Sequence, residues 1–286
     1  MPQPLYPPAR PQTIAEVLDS VFRIFKVSLV QCLLYAAVGM IAGQLPNIYY
    51  IAAGIPLKAF GGGDPLWIAL YAVGAIIMLL MFAALMLRQK GIATGQRLST
   101  RVELSEAARR LPAYLGTTLL WLLAICAFGL VFGFVVAVTG LTPTNPKVIG
   151  IGVVVLGLPV MYMFTPLTLA TPAVLLDGKG PLQAFRYCLH LVRGAWWRAT
   201  TALTLGFIVL IVLDVVVGFI IGLLLSAAGA SDVAAVMAAA TAVVGVVLGA
   251  VALPFVSALI LAIYGDLQLR KEGQDLERRL AGEAQV

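Results

Sequence analysis

The residues able to carry nucleophilic or metal chemistry are few in this chain and scattered along it. His190 is the only histidine, and Cys188 stands two positions before it, so the two side chains point to different sides of a helix. A zinc site needs three or four clustered ligands, and the remaining cysteines, Cys32 and Cys126, are far away in sequence. No P-loop, Rossmann glycine motif or nucleophile elbow occurs. We therefore expect no enzyme activity, no metal and no cofactor.

Asp214 is the only charged residue between Arg198 and Asp232, inside a long apolar run. A charge at the bilayer centre costs roughly 2.5–3.5 kcal/mol on insertion scales, which makes Asp214 the candidate intramembrane functional site. If it lies deep, we expect it to face the bundle interior beside a proline-containing crossing. The alternative is a carboxylate near the outer end of its helix, reached by water.

Prolines lie inside two apolar runs in the second half of the chain, where each removes one backbone donor and kinks a helix. One interpretation is a broken helix that lines a cavity, as in some transporters. The other is a kinked helix that only packs. The candidate cavity or kink residues are Pro159, Pro166, Pro172 and Pro254.

Composition then identifies the elements that must position these residues. Of the 286 residues, 61% are hydrophobic and only 11% are charged, against about 25% charged in soluble domains. A helix needs about 20 residues to cross a bilayer, and six charge-poor runs are that long. We predict an all-α, six-helix transmembrane bundle over 13–268, between a Pro-rich segment 1–12 and a charged tail 269–286. Its crossings are expected near 27–46, 66–87, 115–138, 150–172, 203–226 and 240–263.

Basic residues predict the orientation of this bundle. Of the 19 lysines and arginines, all but Lys58 and Lys147 lie in the two terminal segments and two alternate loops. The positive-inside rule places these segments, and so both termini, in the cytoplasm. Basic residues beside helix ends meet anionic lipid head groups, so the net charge of +6 calls for membrane lipids as partners and for no nucleic acid.

Each cytoplasmic segment before an odd-numbered crossing has the pattern of a short amphipathic helix lying on the membrane. The first starts at a Thr13–Glu16 capping box and the second covers 104–111. The third starts at Pro181, with Leu182, Phe185, Leu189 and Val192 on its apolar face. Trp196 and Trp197 follow the third helix and are expected to anchor it at the head-group level.

Three glycine pairs suggest a threefold repeat of one amphipathic helix and two crossings. Small residues four positions apart let helix backbones approach closely in lipid. The pairs lie in crossings one, three and five and are the candidate helix-packing residues: Gly39 and Gly43, Gly129 and Gly133, and Gly218 and Gly222.

Three segments occur in an order typical of a known family: RPQTIAEVLDSVFRIFK, TLATPAVLLDGKGPLQAFRYCLHLVRGAWWR and IYGDLQLRKEGQDLERRL. They resemble the multi-pass membrane domain attached to some bacterial glycerophosphoryl diester phosphodiesterases and its stand-alone relatives. The similarity extends from about Arg10 to Leu280. It implies a multi-pass protein of the bacterial inner membrane. It does not imply the enzyme, because the phosphodiesterase is a separate soluble domain.

Two functions remain open. The first is a non-enzymatic scaffold or partner for lipids or membrane-associated proteins, with a cytoplasmic or membrane protein as a further partner. The alternative is a transporter or lipid-handling protein for an apolar or amphiphilic cargo. Transporters of charged solutes usually place several ionisable groups at membrane depth, and this chain offers only Asp214. That difference favours the scaffold, or a very apolar cargo.

Overall fold

The computed structural model describes residues 5–8, 10–53, 64–96, 98–139, 162–227 and 233–283. Within these ranges all regular secondary structure is helical, which confirms the all-α prediction for the described part of the chain. The helices are α1 (Ile14–Gly43), α2 (Leu45–Ala52), α3 (Pro65–Thr94), α4 (Thr100–Thr139), α5 (Tyr162–Leu175), α6 (Pro181–Val192), α7 (Trp196–Ala227) and α8 (Val233–Glu283).

Five of these helices contain a stretch long and apolar enough to span a membrane. The stretches are Ile14–Gly43, Pro65–Thr94, Thr100–Val131, Trp196–Ile220 and Val243–Lys271, and they overlap predicted crossings one, two, three, five and six. The predicted fourth crossing lies partly outside the described residues, and its described part is the shorter apolar helix α5. The count of six and the threefold repeat therefore stay predictions.

Two of the three predicted surface helices are not separate elements, and that prediction is wrong. The Thr13–Glu16 capping box starts α1, but α1 then continues without interruption through the first crossing. Likewise, 104–111 belongs to α4, which runs unbroken from Thr100. Both segments bury side chains against neighbouring helices, so continuing the helix preserves backbone hydrogen bonds that a break would expose.

Of the three predicted surface helices, only α6 stands as a separate short helix, and its buried face matches the predicted apolar face only in part. Ala184, Cys188, Leu191 and Val192 are buried; Val192 belongs to the predicted face, whereas Leu182 of that face is exposed. Small side chains at the first two of these positions let α6 approach its neighbours closely. Helix α8 continues through residue 268, where the charged tail was predicted to begin, as far as Glu283, and the boundary itself stays a prediction.

The bundle core is built around α1, α3 and α8. A Cβ atom added at Gly39 would lie 3.2 Å from Met81 Cβ, and one added at Gly74 would collide with the Ala42 carbonyl oxygen, so α1 and α3 are in backbone contact. The polar side chain of Gln89 in α3 joins all three helices, since its Nε2 donates to Ser28 Oγ (2.8 Å) and to the Pro254 carbonyl (2.9 Å).

The N-terminal segment and the last third of α8 meet at the same end of the bundle. Leu5 and Tyr6 donate backbone hydrogen bonds to the Ala93 carbonyl at the end of α3 (2.8 and 3.2 Å). The buried Tyr6 ring also fills the space over Gly265 of α8. We call this the charged end, because the buried carboxylate Asp266 and its arginine partners also lie there.

Candidate functional site: a basic cleft at the charged end

A cleft of about 490 Å³ opens at the charged end between α6, α7 and α8. Four positively charged side chains line it, with Trp196 and Trp197 beside them. The basic residues are Arg193, Arg198, Arg270 and Lys271. Arg193 and Lys271 form no ion pair with any described residue, so the cleft holds an excess of positive charge.

A tight turn between α6 and α7 brings residues from both helices to the cleft. The Arg193 N–H bonds to the Leu189 carbonyl at the end of α6, and Gly194 follows with φ +87°. Only glycine takes this left-handed conformation without steric cost. The chain then enters α7 at Trp196, where the first N–H groups of a helix have no intrahelical partner and carry partial positive charge.

Asp266 is the buried carboxylate that holds this end together. Its Oδ1 accepts the Gln12 backbone N–H (2.7 Å), and its Oδ2 accepts from Arg198 Nε (3.3 Å) and Arg270 Nε (2.9 Å). Arg270 Nη2 in turn donates to the Gln12 carbonyl (2.6 Å). One carboxylate therefore joins the N-terminal segment, α7 and α8, and it balances only one of the cleft's four positive charges.

Two residues that line the cleft each carry a buried hydrogen-bond donor with no acceptor among the described residues. The donors are Trp196 Nε1 and Arg198 Nη2. Both groups donate only, and leaving a buried donor unpaired costs about 1–3 kcal/mol, more when the group is charged. The arrangement of two unmet donors beside unpaired Arg193 and Lys271 fits an anionic ligand with several acceptor oxygens.

The two tryptophans differ in their environments. Trp196 packs edge-on against Trp197 (ring centroids 4.6 Å apart) and also contacts Tyr162 of α5 (5.6 Å). Trp197 is 73% exposed. One ring is thus held by the bundle while the other projects from the cleft rim, at the start of the Trp196–Ile220 apolar stretch. Their predicted role as interfacial anchors stays a prediction.

Asp214, the predicted intramembrane site, lies on an exposed part of α7 among the described residues. Asp214 is exposed, as are its neighbours from Ile211 to Val216. Most of the predicted fourth crossing lies outside the described residues, so the expectation that Asp214 faces the bundle interior stays a prediction. A functional role for Asp214 stays a prediction.

The prolines lie in continuous helices where they are described. Pro254 is buried inside α8, which is unbroken around it, and Pro166 and Pro172 are buried within α5. These three therefore do not break a helix, although their predicted role in a kink or cavity stays a prediction. Pro159 lies outside the described residues.

The glycine pairs do not share one role. Gly39 and Gly43 of α1 contact α3, at Met81 and Met78. Gly129, Gly133 and Gly218 have nothing within 4 Å of an added Cβ, so they make no close packing contact with the described residues, and their predicted packing role stays a prediction. The side-chain environment of Gly222 is not described. A GxxxG spacing permits close approach but does not require it.

Sequence inspection missed the buried ionic groups. Tyr35 donates to buried Glu103 (2.7 Å), and Arg88 lies 3.7 Å from the same carboxylate. The Asp266–Arg270 pair had a signal, because residues four apart share one helix face, whereas Arg198 had none. No group of three or more metal-binding side chains occurs in the ranges that the structure describes.

The fold and its charged end define the class of the protein: an all-helical, multi-pass membrane protein with a basic cleft beside one end of its bundle. Residues 90–267 match the family described as Domain of unknown function (DUF7847), and the chain belongs to that family. The matched segment contains Arg193, Arg198 and Asp266 but stops before Arg270. No curated protein and no solved structure matches the chain.

Proposed function

We propose that this protein is a non-enzymatic membrane protein that acts as a scaffold or partner, and that its basic cleft is where it binds an anionic group. The observation that carries the proposal is the excess of positive charge on the cleft, where four basic side chains meet and neither Arg193 nor Lys271 forms an ion pair with any described residue. Two donors of lining residues, Trp196 Nε1 and Arg198 Nη2, also have no acceptor among the described residues. A bound anion supplies the acceptors that the described residues lack.

The charge distribution supports a cytoplasmic location for this cleft. Basic residues concentrate in the segments that form the charged end, as expected for the cytoplasmic side. Because Gln12 and Asp266 are hydrogen-bonded to each other, α1 starts and α8 ends on one side of the bundle. That arrangement favours an even number of crossings, consistent with six, and both termini in the cytoplasm. We place the protein in the bacterial inner membrane on the resemblance described above.

Anion binding to the purified full-length chain tests the proposal. Pyrophosphate, titrated into protein in a neutral detergent and followed by calorimetry, is expected to bind saturably. Arg193→Gln and Lys271→Gln are expected to weaken that binding, because each removes an unpaired cleft charge. Arg186→Gln is the matched control: Arg186 is exposed on α6 but does not line the cleft. Absence of saturable binding, or an equal loss in Arg186→Gln, contradicts the proposal.

A groove in the bundle favours the alternative function of transport or lipid handling. It has a volume of about 350 Å³ and lies between α3, α4, α5 and α8, lined by apolar and aromatic side chains with a few threonines. Pockets of this size and lining accept small apolar ligands. Thr171→Phe in the lining should fill the groove and reduce binding of a fluorescent fatty-acid analogue. Leu119→Phe, at an exposed position of α4 outside the lining, should not.

The association with glycerophosphoryl diester phosphodiesterases stays a proposal. It rests on the resemblance of three segments, and the family match carries no information on an attached enzyme. Co-purification of such an enzyme with the full-length chain in mild detergent would support the partner role, whereas its absence from the purified complex would count against it.

A further inference from the structure

We infer that the basic cleft binds the phosphate of an anionic membrane phospholipid, with the acyl chains lying along α7. This inference rests on the proposed anion site and names its ligand. It requires that the cleft provide donors in the geometry of a phosphate, that it lie where lipid head groups lie, and that an apolar path lead from it into the membrane.

A phosphate group matches the donors of the cleft. It offers several acceptor oxygens, so it can accept from a guanidinium, an ammonium and an indole N–H at once. Arg198 keeps its position through its Nε bond to Asp266 while its Nη2 is left without an acceptor. A carboxylate has only two oxygens, so it is less suited than a phosphate to accept from Arg193, Arg198 and Lys271 at the same time.

The position of the cleft favours a lipid over a soluble phosphate. The apolar stretch Trp196–Ile220 begins at the cleft itself, which puts the cleft at the end of a membrane-spanning segment. Trp197 is exposed at its rim, and tryptophan is enriched at the level of the head groups.

An exposed stripe on α7 leads from the rim of the cleft into the apolar stretch. Trp197, Thr201, Leu205, Ile208 and Val212 are all exposed, and their spacing of three or four residues keeps them on one face of the helix. A lipid bound by its phosphate in the cleft can therefore lay its acyl chains along this stripe, which carries no charged side chain and only one hydroxyl, that of Thr201.

Native mass spectrometry of the delipidated full-length protein tests the inference. Phosphatidylglycerol and phosphatidylcholine with identical acyl chains are titrated in parallel, and selective retention of phosphatidylglycerol is expected. Trp196→Phe keeps an aromatic side chain but removes the N–H donor together with part of the ring system, and Arg193→Gln removes one unpaired charge. Each should weaken phosphatidylglycerol retention by about tenfold, as expected for hydrogen bonds to a charged group. Arg186→Gln should leave it unchanged.

A competition arm separates this inference from the proposed anion site. If phosphatidylglycerol displaces pyrophosphate, both stand. A second outcome is that pyrophosphate binds while phosphatidylglycerol does not displace it and its retention is unchanged in the Trp196 and Arg193 variants. In that case the anion site stands, and the inference that a phospholipid is its ligand is overturned. If neither binds, both are overturned. Equal retention of the two lipids also overturns the inference, because a phosphate flanked by choline would then serve as well as an anionic head group.

Discussion

At the residue scale, Asp266 illustrates how one buried carboxylate is stabilised in this bundle. It accepts hydrogen bonds from the Gln12 N–H, from Arg198 of α7 and from Arg270, one turn further along its own helix. Removing one partner of a buried ion pair leaves the other charges uncompensated. The carboxylate therefore contributes to stability and also sets the position of Arg198 in the cleft.

Asp266→Asn should consequently destabilise the protein. The two arginines are partly exposed, at 26% and 29%, which limits the cost to about 1–3 kcal/mol. Asp19→Asn is the matched control, since Asp19 forms an exposed pair with Arg23 and such pairs contribute under about 1 kcal/mol. Thermal unfolding in detergent measures both. Equal losses in the two variants would show that burial of Asp266 has no energetic consequence.

Glycines in similar sequence contexts should respond differently to the same substitution. Gly74→Ala places a methyl group against the Ala42 carbonyl oxygen, a backbone atom that cannot rotate away, so we expect a loss of about 1–3 kcal/mol. Gly218→Ala enters open space and should be neutral or stabilise by up to about 1 kcal/mol, because alanine favours the helix. A Gly218→Ala variant less stable than Gly74→Ala would refute the helix contacts described above.

The Cys188 thiol should be unreactive in the folded protein. Burial raises its pKa, the nearby Asp177 carboxylate raises it further, and Lys179 opposes both effects. Because the thiolate is the reactive form, a raised pKa keeps the group neutral and slow toward maleimide from pH 7 to 9. In a Cys188→Ala background, Gln183→Cys introduces an exposed thiol on the same helix that should react rapidly. Comparable rates for the two thiols, measured by peptide mass spectrometry, would contradict the burial of Cys188.

At the element scale, α1 shows two different faces along one continuous helix. Val17, Val21 and Ile24 are buried in the bundle, whereas Val30 is 82% exposed. The buried residues recur with the helical period, so they form one face of α1. Apolar residues on that face stabilise the fold, whereas apolar residues on the opposite face only contact lipid.

The same substitution on the two faces of α1 tests this division. Val21→Ala leaves a cavity in the core and should cost about 1–3 kcal/mol, whereas Val30→Ala should change stability by no more than about 0.5 kcal/mol. Unfolding curves in one detergent provide the comparison. If both variants lost the same stability, the N-terminal half of α1 would not be packed as described.

At the scale of the whole molecule, the N-terminal segment and the end of α8 are joined by hydrogen bonds. This contact brings the start of α1 and the charged part of α8 to one side of the bundle, which favours the proposed even number of crossings. The basic residues concentrated at the charged end then favour the cytoplasm for that side.

Reporter fusions test this topology. Fusions at Gly62, Asn145 and Ala230 should report the external side, and fusions at Gln96 and Lys179 the cytoplasmic side, since these positions alternate between the predicted crossings. Alkaline phosphatase and fluorescent-protein activities in bacteria distinguish the two sides. A cytoplasmic signal at any of the first three positions would contradict six crossings with cytoplasmic termini.

The sequence alone was sufficient for the class of the protein and for most of its helices. Membrane partition depends on the apolar character of about 20 consecutive residues, and a capping box depends on residues three apart, so Thr13 and Glu16 correctly predicted where α1 begins. Such features are local and can be read without knowing which helices are neighbours.

Tertiary structure decided the candidate site and the packing faces. Arg198 and Asp266 are 68 residues apart and Gln12 and Asp266 are 254 apart. No local spacing pattern in the sequence predicts contacts between residues so far apart. The glycine pairs have identical spacing, yet only Gly39 and Gly43 contact a neighbouring helix among those described. The physical reason is that close approach and charge pairing are properties of two surfaces, and the partner surface is set only when the helices have packed.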